Sequence, residues 1–118
     1  MKLNRLEQEV MRMILASDEP ELRLLAEQYR CAEVVDRELS GVGFFTTFSV
    51  PAQAPRLEGG KSLRLGDVIA EIDGLHYGAG FVLFVNDGAI DCLEGYAFCE
   101  PWPANIDTFQ LSYFKGAE

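Results

Sequence analysis

Carboxylates are the side chains best placed to do chemistry in this chain. Asp91 and Glu94 stand close together, Glu100 follows, and His76, the only histidine, lies upstream. Paired carboxylates can exchange protons with a substrate or hold a metal ion, and an imidazole beside one can act as a base. The surrounding pattern argues against such a use. Asp91 and Glu94 fall in an alternating run, where strands commonly show polar surface, and no nucleophile has an activating neighbour. Cys92 is flanked by neither His nor Lys, so it reads as a small buried hydrophobe. Cys92, Cys99 and His76 contain no CxxC or HxxxH pair and do not make a zinc set. Gly41 and Gly43 precede a strand pattern, whereas a phosphate-cradling loop needs a helix N-terminus after it. The expectation is no catalytic residue, no cofactor and no metal. The alternative is a small-ligand binder or enzyme using surface carboxylates with His76, which otherwise reads as a loop residue.

Binding is the better-supported use of these residues. The net charge is −9, and between Gly66 and Phe114 there is no Lys or Arg at all. The same stretch holds Asp67, Glu71, Asp73, Asp87, Asp91, Glu94, Glu100 and Asp107. A field of one sign repels phosphate backbones and attracts positive charge, so nucleic acid is not the expected partner and a basic protein surface or a cation is. Solubility is the simpler use of the same charge. Tyr96 and Trp102 are residue types favoured at binding hot spots. The candidate partner-binding residues are therefore Asp91, Glu94, Tyr96, Glu100 and Trp102. Trp102, set between Pro101 and Pro103, also fits a lid over the core.

Those residues lie on or just beyond a hairpin spanning Gly78 to Trp102, with Asn86-Asp87-Gly88 between two apolar runs. Two registers fit. A two-residue Asp87-Gly88 turn sets Val85 opposite Ile90 and Leu83 opposite Cys92. A three-residue turn with a left-handed Gly88 sets Phe84 opposite Ile90 and Val82 opposite Cys92, and is preferred. In both, Ile90 and Cys92 share the buried side, Glu94 is its polar departure, and Asp91 and Leu93 face the other way.

An apolar hairpin needs a larger sheet and a cover. Leu3, Leu6, Val10, Met13 and Ile14 recur at helical spacing, with Asn4 and Glu7 at capping-box distance. Asp18 can cap a second helix, with Pro20 in its first turn and a stripe of Leu22, Leu25, Ala26 and Tyr29. Strands follow at 33–39, 44–50 and 67–73, then the hairpin, then Thr108 to Lys115. Breaker-rich 51–62 is a mobile connection or a lid whose Arg56 and Lys61, with nearby Arg64, meet an anionic ligand. The fold class is α+β: a helical hairpin over 1–31 packed on a mostly antiparallel sheet of about five or six strands over 32–115. Length fits a single domain, 1–118. The helical stripe packs on the sheet, or serves as a dimer face, which leaves a homodimer among the expectations.

The charged N-terminus lacks a signal-peptide core, and no run reaches the length of a membrane span, so membrane association is not expected. Cys31, Cys92 and Cys99 make an odd number, consistent with reduced thiols, no disulfide and a cytoplasmic location. Gly43-Phe44-Phe45-Thr46-Thr47-Phe48, Leu93-Glu94-Gly95-Tyr96 and Pro101-Trp102-Pro103 give residues 40–114 a resemblance to small bacterial cytosolic proteins. In size and style these resemble the immunity proteins of polymorphic toxin systems. The resemblance implies a binding protein and brings no catalytic residue.

Overall fold

The computed structural model describes residues 1–114. Two helices, α1 (Arg5–Ile14) and α2 (Pro20–Cys31), precede seven strands. These are β1 (Glu33–Leu39), β2 (Gly43–Ser49), β3 (Leu63–Leu65), β4 (Val68–Ile72), β5 (Ala79–Asn86), β6 (Ala89–Ala97) and β7 (Phe109–Tyr113). They form one sheet in the order β1-β2-β6-β5-β4-β7, with β3 also paired to β5. Every pairing is antiparallel. The fold is α+β with N-terminal helices packed on the sheet, as expected. The expected strand count of five or six was too low, because short β3 emerges from sequence that reads as loop. The expected last strand residue, Lys115, lies outside the described residues.

α1 forms where its signals coincide. Asn4 accepts from the Glu7 backbone N–H, and the Glu7 carboxylate accepts from that of Asn4, closing a capping box. Leu6, Val10, Met11 and Ile14 bury one side against the sheet, where α1 lies over β4 and β7. α2 starts one residue later than its expected cap. Glu19 occupies the N-cap without a side-chain bond, and its N–H is taken by the Ser17 hydroxyl. Leu25 and Gln28 are the fully buried positions of α2, which packs on β6. The core fills the space between helices and sheet, around Val10, Met11, Phe81, Leu83 and Leu93.

The hairpin corrects the preferred register. Asp87 (φ 52°) and Gly88 (φ 80°) both take positive φ, the signature of a two-residue type I′ turn. Asn86 faces Ala89 and Val85 faces Ile90, but Phe84 then faces Cys92, so Asp91 is an extra residue in β6. Because strand sides alternate, one inserted residue inverts the pattern beyond it. Ile90 and Leu93 therefore share the buried side, followed by Gly95 and Ala97, while Cys92, Glu94 and Tyr96 face away from the helices. The expectation that Ile90 and Cys92 are buried together, with Leu93 opposite, is overturned.

Gln28 explains where the register changes. Its side-chain amide donates to the Gly88 carbonyl at 2.9 Å and the Pro55 carbonyl at 2.8 Å. Its Oε1 accepts from the Ile90 N–H at 3.0 Å. The backbone around the turn finds its partners on a helix, not in the ladder. The segment 51–62 is fastened to the same point. Leu57 is buried and its N–H reaches the Gly88 carbonyl, while the Gly88 N–H reaches Lys61. Arg56 donates to the carbonyls of Val50, Pro51 and Ala54. Lys61 pairs with Glu21 at 2.8 Å, and Arg64 lies over the Phe84 ring. The cations expected on a lid are thus engaged by the protein itself.

Candidate functional site: the uncovered sheet face

Both helices lie on one side of the sheet, which leaves the other side without a covering layer. Cross-strand register fixes what that side displays. One rung runs Glu38, Phe45, Glu94, Val82 across β1, β2, β6 and β5. The next runs Asp36, Thr47, Cys92, Phe84, Arg64, ending on β3. A third sets Tyr96 between Gly43 and Gly80, with Ile69 beyond. Phe45, Val82, Phe84 and Tyr96 are all half-buried. The face thus combines an aromatic and aliphatic patch with acids, Glu94 lying within the patch between Phe45 and Val82.

Local sequence makes Tyr96 lie flat. A Cβ on Gly80 would stand 2.8 Å from the Tyr96 hydroxyl and 3.1 Å from the Phe98 ring. The absence of that atom lets Tyr96 cross over β5, and Phe98 meets it edge-on with centroids 5.7 Å apart. The ring pair forms a fixed apolar platform.

The face is strongly negative. Glu33, Asp36 and Glu38 on β1, Glu71 on β4, and Asp91 and Glu94 on β6 lie on this side. Arg64 is the one cation among the described strand residues there. Cys92 senses this field. Burial pushes its thiol above the ordinary range, and the Asp91 and Glu94 carboxylates push it further. Its thiolate form is thereby disfavoured.

The candidate residues separate into groups. Asp91, Glu94 and Tyr96 come together on the open face. Glu100 stands in the turn after β6, where it accepts from the backbone N–H groups of His76 (3.0 Å) and Tyr77 (2.7 Å). Those bonds hold its carboxyl below the usual range. Trp102 belongs to the opposite side: its ring meets Phe44 edge-on at 5.3 Å and its backbone N–H donates to the Gly41 carbonyl. It walls a cleft of about 400 Å³ that also touches Arg5 and Phe109. Arg5 is already committed there, over the Phe109 ring and to the Asp107 carbonyl.

No known protein family, curated protein or solved structure matches this chain. The site is therefore read from its own geometry. His76 offers its backbone N–H to Glu100 and its ring to Tyr77, which is no acid–base dyad. Among the described residues, no group of three or more His, Cys, Asp or Glu is placed to hold a metal. No described helix is long and apolar enough to cross a membrane.

The acids of β1 are what sequence reasoning missed. Glu33-Val34-Val35-Asp36-Arg37-Glu38 does not alternate cleanly, because a bulge between Val34 and Asp36 shifts the phase. Only pairing with β2 shows that Glu33, Asp36 and Glu38 share one side while Arg37 turns to the core. Of the acids between Gly66 and Phe114, Glu71, Asp91 and Glu94 lie on the face, and Asp67, Asp73, Asp87, Glu100 and Asp107 lie in turns and connections.

Proposed function

We propose that the chain is a non-catalytic protein-binding module of the immunity-like kind, whose uncovered sheet face receives a basic protein. The observation that carries this reading is the composition of that face: half-buried Phe45, Val82, Phe84 and Tyr96 surround Glu94 on β6, with Asp36 and Glu38 on edge strand β1 and Asp91 beside the hairpin turn. Productive interfaces bury aromatic anchors at their centre and place charge at the rim. A rim of one sign speeds encounter with an oppositely charged surface and rejects like-charged ones.

The test is a pull-down from the source cell, followed by association rates at low and high salt. Glu38→Lys with Glu94→Lys should slow association and flatten its salt dependence, because screening acts over about 8 Å at physiological ionic strength. Tyr96→Ala should raise the dissociation rate. Glu100 is not used in this test, since reversing it would also remove the acceptor of two backbone N–H groups. An association rate indifferent to salt and to both reversals would assign the acids to solubility alone.

A further inference from the structure

The two ends of the sheet differ. At one end β1 carries Glu33, Asp36, Arg37 and Glu38 and is broken by a bulge at Val35, features that discourage strand addition. At the other end β7 has no charge, no proline and no bulge, and its five residues pair with β4 in unbroken register. An uncharged, regular edge strand is a template for another strand.

The hydrogen-bond phase of β7 is also self-complementary. The Phe114 N–H donates to the Asp67 carbonyl at 2.7 Å, and the Thr108 carbonyl accepts from the Asp73 N–H at 3.1 Å. In an antiparallel ladder the backbone groups alternate in direction. Residues 108, 110, 112 and 114 therefore bond towards β4, and the N–H and C=O groups of Phe109, Leu111 and Tyr113 point off the sheet. A two-fold axis through Leu111 sets Leu111 opposite itself and Phe109 opposite the partner's Tyr113. Every outward donor of the strand then meets an outward acceptor.

Charge favours a second copy here and nowhere else along the sheet ends. A chain of net charge −9 repels itself except where the touching surface is neutral or of mixed sign. β7 is neutral, and the rim of α1 above it presents Arg5 and Arg12 with Glu9 between them. That rim and β7 border an open groove of about 520 Å³ floored by Phe109 and Leu111. We propose that two copies of the chain join β7 to β7 antiparallel about this axis. The union would bring both acidic faces to the same side of one continuous sheet.

The experiment is sedimentation velocity across a dilution series, with amide hydrogen exchange on the same samples. The expected result is a reversible dimer in which the amides of Phe109, Leu111 and Tyr113 become protected as concentration rises, while those of Gln110 and Ser112 are protected throughout. Gln110 and Ser112 are exposed and would stand opposite each other across the axis. Q110K/S112K and Q110E/S112E should each weaken dimerisation roughly tenfold, by setting like charges face to face. Mixing the two variants should restore it. A monomer at every concentration, a dimer whose residue 109, 111 and 113 amides exchange freely, or a mixture no tighter than either variant alone would overturn the proposal.

Discussion

Glu7 and Arg37 lock helix α1 to the sheet: the guanidinium Nε donates to Oε2 at 3.0 Å and Nη2 to Oε1 at 2.5 Å. The carboxylate is fully buried, and the Thr46 hydroxyl and the Asn4 N–H complete its shell. One side chain therefore caps α1, pairs with the edge strand and bonds to β2. A buried charge is tolerable when its lone pairs are filled in this way, and costly when a partner is removed.

Arg37→Met should accordingly destabilise the fold by about 3 kcal/mol, since it leaves a buried carboxylate without its counter-ion. The double variant E7M/R37M should recover part of that loss but not all of it, since removing the carboxylate also leaves the buried Thr46 hydroxyl and the Asn4 N–H without their acceptor. Urea unfolding of the two variants measures both values.

Gln28→Ala should cost about 3 kcal/mol, because the Ile90 N–H and the Pro55 carbonyl lose a buried partner and a void opens beneath the turn. The Ile90 amide should then exchange with solvent markedly faster than in the wild type. An unchanged Ile90 exchange rate would show that β6 holds its extra residue without α2.

The lowered value of Glu100 implies a pH-dependent turn. A carboxyl whose folded value lies below its unfolded one contributes stability in full above the unfolded value, and loses it as pH falls through the folded one. The amide proton shifts of His76 and Tyr77 should move together, with a midpoint more acidic than an ordinary glutamate. Glu100→Gln should abolish the transition, and NMR titration reads both outcomes.

The three cysteines are free, and Cys31 and Cys99 are exposed. Cys92, its thiolate disfavoured by burial and by neighbouring carboxylates, should be alkylated last. Peptide mapping after timed iodoacetamide treatment gives the order. Glu94→Gln should speed modification of Cys92 by weakening the negative field.

Local signals were sufficient wherever a segment's partners lie nearby in the chain. The Asn4–Glu7 box set the start of α1, and the strand pattern over 67–73 located β4. The cation-free run from Gly66 to Phe114 foretold an acidic character without placing it. The tertiary structure decided what depends on distant contacts. Asp91 becomes an extra residue where Gln28, far away in sequence, takes the Ile90 N–H, and that one insertion exchanges the sides of Cys92 and Leu93. Tyr96 and Trp102, close neighbours in the chain, end on opposite sides because β6 closes before the proline-flanked tryptophan turns back over Phe44. The acids of β1 join Glu94 on one face only through pairing with β2. Capping and alternation are short-range and can be read along the chain. Register and facing are set by hydrogen bonds and burial between segments, which no local window contains.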